Sequence, residues 1–224
     1  MPGNEREPSW RGRMRYGKPA GAEGDFEPES RGRVLANLKG ITDPRLMDEA
    51  EFRTLIEAQQ RYYATLTPDT PITAQLICQM HRDWLGSLYA WAGQYRNVEL
   101  QKDNFAWPPA WRVPDNMAAF ERETLSRYTP CHPGLLPQVA DALAHVHAEL
   151  LLIHPFRDGN GRLTRWLTDI MAVQAGYPVP DYGFTGRGSL ARRDRYIAAV
   201  SQGYAQNYEP LAAFFVEAIE RRGR

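Results

Sequence analysis

The sequence predicts an all-α protein with one small β-hairpin, and three observations support this fold class. After residue 40, apolar residues recur at helical spacing in most segments. Clusters of proline and glycine separate those segments. Only residues 97–107 alternate apolar and polar side chains in the way that a β-strand does. We therefore expect a single, mainly helical domain.

The first two predicted helices begin at capping signals. Asp43 followed by Pro44 is the N-cap and first-residue pair of one helix, and Thr73 begins the next. Apolar residues then recur at helical spacing in both segments. They are Phe52, Leu55, Ile56 and Tyr63 in the first helix and Leu76, Ile77, Met80, Trp84 and Leu88 in the second.

The predicted hairpin follows these helices. On each side of the turn signal Asp103-Asn104, two apolar residues alternate with polar ones. Those apolar residues are Val98, Leu100, Phe105 and Trp107. Further helices are predicted from Asp115, over residues 138–153, and after residue 161.

The composition limits the class of protein. The chain has 224 residues, of which 43% are hydrophobic and 24% charged, as in a globular domain rather than a disordered or fibrous protein. Lys plus Arg and Asp plus Glu each number 27, and this zero net charge argues against broad binding of nucleic acids or membranes. The two cysteines follow no disulfide or metal-ligand pattern, which indicates a reducing compartment.

The chain divides into an arm and a domain. Residues 1–38 are rich in Gly, Pro, Arg and Glu without periodicity, which predicts a flexible N-terminal arm, and residues 39–220 form the predicted domain. Glutamates dilute the arginines of the arm, so direct nucleic-acid binding is the weakest functional alternative. No apolar run approaches the length of about 18 residues that a membrane span needs, and no secretory signal is visible. We expect a cytoplasmic protein without a membrane partner; export as an effector stays open.

Residues 154–165 read HPFRDGNGRLTR and join two predicted helices. Pro155 ends the first helix and biases His154 toward an extended backbone. Gly159 and Gly161 allow the chain to turn and to approach a ligand closely. Because the next helix begins here, its N–H groups and its dipole point at the same place, which is typical of an anion-binding site.

The charged residues of this segment favour a polyphosphate. Arg162 and Arg165 lie in the first helical turn, where the dipole disfavours each cation by about 0.3–1 kcal/mol unless an anion lies between them. Asp158 would repel that anion unless a divalent cation such as Mg²⁺ bridges the two. His154 is the nearby residue that accepts a proton at neutral pH. Each residue taken singly is more often structural, but together they favour the functional interpretation.

The segment HPFRDGNGRLTR resembles, without a mismatch, the HPFx(D/E)GNGRxxR signature of the Fic family. Residues 88–96, LYAWAGQYR, are similar to the family's YxWAGxxR segment, and residues 207–215, NYEPLAAFF, are also family-like. The resemblance covers about residues 40–217. It implies the mainly helical Fic fold, in which the hairpin at 97–107 is a flap.

The resemblance also implies a reaction. Most members of the family transfer AMP from ATP to a Ser, Thr or Tyr hydroxyl of a target protein and release pyrophosphate, with Mg²⁺ as cofactor. His154 would deprotonate the hydroxyl, Asp158 would hold Mg²⁺, and Phe156 would be buried. The implied ATP-binding residues are Gly159, Asn160 and Gly161 around the phosphates, Arg162 at the β-phosphate, Arg165 at the γ-phosphate, and Lys102 near the tip of the flap.

Two alternatives stay open beside AMP transfer. Doc-like kinases of the family have Lys where this chain has Gly161, so nucleotidyl transfer is favoured over phosphate transfer. A phosphate site does not read the nucleobase, so another nucleotide stays open. A silent protein-interaction module is the third reading, and the intact motif argues against it.

The resemblance implies two protein partners. A target protein is expected to dock on the hairpin at 97–107 as an added strand, where Lys102 reaches ATP or the target. Self-inhibited relatives carry an (S/T)xxxE(G/N) helix whose Glu pairs with the second motif arginine, but no Ser or Thr of this sequence has Glu four positions later. Either a small antitoxin supplies the inhibition, which would make this chain the toxin of a toxin–antitoxin pair, or the enzyme is unrestrained.

Overall fold

The structure is a computed structural model that describes residues 25–102 and 104–222. Its helices are α1 (Pro44–Thr65), α2 (Ala74–Leu85), α3 (Val113–Phe120), α4 (Ser126–Tyr128), α5 (Leu136–Ile153), α6 (Asn160–Gln174), α7 (Ser189–Gly203) and α8 (Glu209–Arg222). A π-helical turn, Glu121–Leu125, joins α3 to α4, and 3₁₀ turns occupy Pro28–Ser30 and Ala110–Arg112. Two strands, β1 (Gln101–Lys102) and β2 (Phe105–Ala106), form an antiparallel hairpin. The predicted helical fold with one small hairpin is confirmed.

Helix α5 is the central element of the core and packs against α6, α7 and α8. Its residues Leu143, Val146 and Leu150 are at most 1% exposed, as the predicted apolar face requires. Helix α6 follows directly in the chain and buries Trp166 against the same core. The segment between them, residues 154–159, is therefore fixed at both ends by buried helices. None of the helices in the described part of the chain is long and apolar enough to cross a lipid bilayer.

Helix α1 turns a different face to the core from the one that its large apolar residues suggest. Asp43 caps the helix as predicted and accepts a hydrogen bond from the Arg45 N–H at 2.8 Å. However, Phe52 and Tyr63 are 64% and 41% exposed. The buried positions are instead Met47, Ala50, Glu51, Ala58 and Tyr62. This face of α1 packs against α2, and the buried carboxylate of Glu51 needs a charged or hydrogen-bonding partner.

Part of the predicted N-terminal arm is folded. Residues 1–24 lie outside the described residues, so the prediction for them stays a prediction. Phe26 and Leu35 form an isolated β-bridge, and the Asn37 side chain hydrogen-bonds to backbone groups on both sides of it along the chain. Side-chain hydrogen bonds order this stretch without any apolar periodicity. Folded structure therefore begins before the predicted boundary at residue 38.

The hairpin is shorter than predicted. Lys102 lies opposite Phe105, and the Trp107 N–H donates to the Leu100 carbonyl at 3.1 Å. Both strands are exposed, whereas Leu100 at their base is 2% exposed. Asp103 lies outside the described residues, so its place in the turn stays a prediction. The hairpin is therefore anchored at its base and presents its strands outward.

Candidate active site

Asn160 closes the segment between α5 and α6 into a tight loop. Its side-chain oxygen accepts a hydrogen bond from the Phe156 N–H at 2.9 Å, and its side-chain nitrogen donates to the Phe156 carbonyl at 2.8 Å. Phe156 is fully buried, as expected from the sequence. Because both ends of the Asn160 amide bond to Phe156, this side chain holds the loop closed, and its backbone N–H lies in the first turn of α6.

His81 of α2 supports the loop from the core side. Its Nδ1 accepts a hydrogen bond from the Gly93 N–H at 2.8 Å, so Nε2 carries the proton and donates to the Asp158 carbonyl at 3.0 Å. The ring stacks on Phe156 with centroids 3.9 Å apart. Burial lowers the pKa of His81 to about 4, so the ring is neutral at neutral pH. No motif surrounds His81 in the sequence, so only the fold reveals this role.

Gly159 and the start of α6 form the anion-binding end of the site. Gly159 has a φ of 82°, and a Cβ at this position would lie 2.9 Å from the Trp84 ring. Among the described residues, no side chain caps the start of α6. The N–H groups of its first turn, which include those of Asn160 and Gly161, therefore point out of the helix end toward a possible anion. A Cβ on Gly161 would lie 3.6 Å from Arg165 Nη1. Glycine therefore leaves the space beside that guanidinium open.

His154 ends α5 in an unusual backbone conformation. Its φ and ψ are 52° and 60°, in the left-handed region, rather than the extended backbone predicted from Pro155. A following proline disfavours the right-handed helical region, so α5 ends at this residue. The left-handed turn lets the His154 N–H close the helix on the Leu150 carbonyl at 3.0 Å. A non-glycine residue in this region is typical of a functional site.

The hydrogen bonds of His154 fix its tautomer. Nδ1 lies 3.0 Å from the Leu151 carbonyl oxygen, which only accepts, so Nδ1 carries the proton and Nε2 holds the lone pair. Burial lowers the pKa of His154 to about 3, and the hydrogen bond to Leu151 opposes this shift. The positive charge of Lys102, an exposed residue of β1, adds to the lowering. His154 is neutral at neutral pH, as a general base must be.

Two residues beside the hairpin hold His154 in place, and the sequence analysis did not assign either to the site. The Trp107 ring packs on the His154 ring with centroids 4.0 Å apart, and Trp107 Nε1 donates to the Leu151 carbonyl at 3.0 Å. Arg96 is 2% exposed and donates to the carbonyls of His154 and of two residues at the base of the hairpin. The signal for Arg96 was its place at the end of LYAWAGQYR; Trp107 had only the strand alternation.

Asp158 is the residue that could hold a divalent cation. Its side chain is 13% exposed, and Oδ1 accepts a hydrogen bond from the Gly159 N–H at 2.6 Å and lies 3.8 Å from Arg162 Nη2. Within residues 25–102 and 104–222, no three His, Cys, Asp or Glu side chains group together as a metal cage. A single carboxylate nevertheless fits Mg²⁺, which takes one or two carboxylates and completes its coordination with phosphate oxygens and water.

The two motif arginines have different surroundings. Arg162 pairs with Glu51 of α1, and its Cζ lies 4.7 Å from the centroid of the Trp84 ring. Arg165 lies over Phe184, with Cζ 5.7 Å from the ring centroid. In the part of the chain that the structure describes, no carboxylate forms a salt bridge with Arg165. One guanidinium is thus tied to an internal anion, and the other is not.

These groups lie on one continuous stretch of the chain. The residues from His154 to Gly161 share one loop and the first turn of α6, which also carries Arg162 and Arg165. Lys102 lies on strand β1 of the hairpin. A neutral imidazole, a carboxylate, an uncapped helix start and two guanidinium groups can together bind a polyphosphate and accept a proton from a hydroxyl.

Known proteins match most of the sequence. Residues 71–172 match the Fic/DOC family profile. The chain is 28% identical over 202 residues to "Protein adenylyltransferase Fic" of Nematostella vectensis, and this alignment covers 89% of this chain and 45% of the relative. It is 28% identical over 187 residues to "Probable protein adenylyltransferase y4lH" of Sinorhizobium fredii, and this alignment covers 80% of this chain and 88% of the relative. The chain spans less than half the length of the Nematostella and Drosophila relatives that it matches.

Solved structures match the fold. BepC, a VirB-translocated effector protein of Bartonella tribocorum with bound AMPPNP, aligns with a TM-score of 0.67 at 21% identity, over 82% of this chain and 91% of BepC. The N-terminal Fic domain of Bep8 from Bartonella sp. 1-1C gives a TM-score of 0.69 at 17% identity, over 83% of this chain and 90% of that domain. At these identities the likeness shows the fold alone. The family profile over residues 71–172, the relatives and the fold agree: this chain is similar to proteins of the Fic/DOC family.

Proposed function

We propose that the chain is a protein adenylyltransferase, which transfers AMP from ATP to a Ser, Thr or Tyr hydroxyl of a target protein and releases pyrophosphate. The observation that carries this proposal is that His154, Asp158, the uncapped start of α6 and two arginines belong to one loop and the helix that directly follows it. Relatives whose names give the same reaction support it. ATP as substrate and the free Cys78 and Cys131 suit the cytoplasm.

His154 acts as the general base. Its Nε2 takes the proton of the target hydroxyl while the hydroxyl oxygen attacks the α-phosphorus and the bond to pyrophosphate breaks. The pKa of about 3 belongs to the protein without nucleotide. A bound triphosphate adds negative charge beside the ring, which raises the pKa of His154 toward the range in which a base works at neutral pH.

Backbone and arginines bind the phosphates. The N–H groups of Asn160 and Gly161 donate to phosphate oxygens at the start of α6. Arg162 takes the β-phosphate and Arg165 the γ-phosphate, so both stabilise the charge that develops on the pyrophosphate leaving group. Mg²⁺ held by Asp158 would supply further charge neutralisation at the phosphate oxygens.

Transfer of AMP is favoured over transfer of phosphate because of Gly161. The space beside Arg165 stays open where a longer side chain would fill it. A triphosphate in which both terminal phosphates meet arginines exposes the α-phosphorus to the base. Lys102 on the hairpin would contact either the nucleotide or the target.

Two protein partners follow from the proposal. The exposed strands of the hairpin at 97–107 offer an edge to which an extended segment of the target can add. A small antitoxin that brings a carboxylate to Arg165 would block the γ-phosphate position and make this chain the toxin of a pair. Co-expression with the adjacent open reading frame should then rescue growth of a host that this chain inhibits; continued inhibition would contradict the antitoxin.

One labelling experiment tests the reaction. The purified protein is incubated with Mg²⁺, a cell lysate and ATP labelled at either the α- or the γ-phosphorus, beside the His154→Ala variant. We expect a protein band labelled only by α-labelled ATP, and no band with the variant. A band labelled only by γ-labelled ATP would identify a kinase. ATP binding without any labelled band would favour a silent interaction module.

A further inference from the structure

A buried carboxylate outside the motif contacts the phosphate site. Glu51 of α1 is 4% exposed, and its carboxylate pairs with Arg162 Nη1. The Tyr89 hydroxyl donates to Glu51 Oε1 at 2.6 Å. None of the roles assigned above uses this carboxylate.

Glu51 is itself held rigidly. Its backbone carbonyl accepts a hydrogen bond from Trp84 Nε1 at 2.8 Å, which fixes this turn of α1 against α2. Tyr89 stacks on Trp91 with ring centroids 4.5 Å apart, so the hydroxyl that meets Glu51 is also fixed. The Glu51 carboxylate thus accepts from two donors, the Tyr89 hydroxyl and the Arg162 guanidinium. The anion therefore sits at a defined place beside the guanidinium.

The Arg162 guanidinium is enclosed on three sides. Glu51 binds Nη1, the Trp84 ring lies 4.7 Å from Cζ, and Asp158 Oδ1 lies 3.8 Å from Nη2. Within the described residues, Nη2 is buried without a hydrogen-bond partner. A buried guanidinium nitrogen without a partner is unfavourable, and the nearest acidic group is the carboxylate assigned to Mg²⁺. Nη2, the nitrogen of Arg162 that lacks a hydrogen-bond partner, therefore lies on the side of Asp158, where the phosphates are expected.

We propose that Glu51 is a positioning residue that fixes Arg162 so that Nη2 meets the β-phosphate of the nucleotide. This role rests on the proposed function. The planar guanidinium has its donors in a fixed fork, so holding Nη1 sets the direction of Nη2. Glu51 also balances the buried charge of Arg162 before nucleotide binds. A carboxylate that acted as a brake would instead compete with the phosphate for the same donor.

The test compares nucleotides that differ only in the group that Arg162 would touch. Dissociation constants for AMP, ADP and ATP with Mg²⁺ are measured by calorimetry for the wild type, Glu51→Gln, Tyr89→Phe and Glu49→Gln. Glu49 is an exposed glutamate of the same helix and is the matched control. We expect Glu51→Gln to weaken ADP and ATP about ten-fold and to leave AMP within about two-fold. Tyr89→Phe should act in the same direction by about three-fold, and Glu49→Gln should match the wild type.

Kinetics adds a second readout. Because Arg162 would act on both the bound nucleotide and the leaving pyrophosphate, Glu51→Gln should raise the KM for ATP and lower kcat. Equal weakening of all three nucleotides would assign Glu51 to the fold alone and overturn the proposal. Tighter binding of ADP and ATP would make Glu51 a brake and overturn it as well.

The outcomes also separate this proposal from the one on which it rests. A wild type that binds no ATP would overturn the adenylyltransferase and the role of Glu51 together. A wild type that binds ATP and transfers AMP, with Glu51→Gln unchanged for every nucleotide, would overturn the role of Glu51 alone. If Glu51→Gln does not fold, Tyr89→Phe decides, because it removes one hydroxyl and leaves the Glu51–Arg162 pair in place.

Discussion

Gly159 is constrained twice. Its φ of 82° is a conformation in which a residue with a Cβ is strained by about 1–2 kcal/mol. Its α-carbon also faces the Trp84 ring, so an added Cβ would come to 2.9 Å from that ring. Gly176 at the end of α6 has the same φ of 82°, but nothing lies within 4 Å of its added Cβ. The two glycines therefore separate backbone strain from steric contact.

We expect Gly159→Ala to lower the free energy of unfolding more than Gly176→Ala does. Backbone strain alone should cost about 1–2 kcal/mol in Gly176→Ala. Contact with the buried Trp84 ring should add about 1–3 kcal/mol in Gly159→Ala. Urea unfolding of both variants measures the difference. Equal losses would show that the ring moves aside and that its contact does not constrain the loop.

At the scale of elements, the hairpin acts on the active site through its two ends. Trp107 directly follows β2 and covers the His154 ring. Arg96 precedes β1 and joins the His154 carbonyl to the hairpin base. The strands between these ends are exposed. A target protein that docked on the hairpin would therefore bring its hydroxyl close to His154, the proposed general base.

We expect Trp107→Ala to raise the pKa of His154 from about 3 toward the ordinary histidine value of about 6.5. Burial is the main cause of the low value, and removal of the ring lets water reach the imidazole. An NMR titration of the His154 ring proton measures the shift. Trp111→Ala is the control, because Trp111 is 69% exposed. An unchanged pKa would mean that the helices alone exclude water from His154.

We expect Arg96→Lys to destabilise the protein by about 2–4 kcal/mol and to loosen the hairpin. The guanidinium donates to three carbonyls at once, and a single ammonium cannot reach all of them. Urea unfolding and limited proteolysis at the hairpin measure the two effects. The exposed Arg112 supplies the control variant Arg112→Lys. If Arg96→Lys were as stable as the wild type, the three hydrogen bonds of Arg96 would not hold the hairpin base in place.

Local signals predicted the elements and the central loop, but not the contacts between elements. The cap at Asp43 and the turn at Gly159 depend on their neighbours in the chain, so the sequence displays them. Glu51 lies on a helix in which Phe52 and Tyr63 are exposed, and its carboxylate is buried beside Arg162, which comes 111 residues later in the chain. His81 likewise supports the loop from 77 residues away. Such pairs have no local pattern, so they appear only when the chain is folded.

At the scale of the whole molecule, neutral histidines lie in the core. His81, His147 and His154 are at most 5% exposed, and burial lowers their pKa values to about 4, 3 and 3. His147 hydrogen-bonds to side chains of α6 and α7, so it joins three helices. The pKa of Asp169 changes in the opposite direction, because burial of this carboxyl raises it to about 7. These four groups link stability to pH.

We expect the free energy of unfolding to fall as the pH drops from about 7 to about 4. Near pH 5 the unfolded chain binds a proton on each of the three histidines that the folded core leaves neutral, which favours unfolding. The folded state binds one proton on Asp169 that the unfolded chain does not, which opposes them. The difference of about two protons corresponds to about 3 kcal/mol per pH unit, a large part of the stability of a domain of this size.

Replacing one core histidine tests this account. His147→Gln removes one proton from the difference, so its stability should fall less steeply between about pH 7 and pH 5, by about one-half of the wild-type slope. Urea unfolding at several pH values measures both slopes, with His132→Gln as the control, because His132 is exposed. A wild-type free energy that stays level in this range would show that the folded core accepts the protons. That result would also contradict the low pKa of His154 and the exclusion of water from its ring by Trp107.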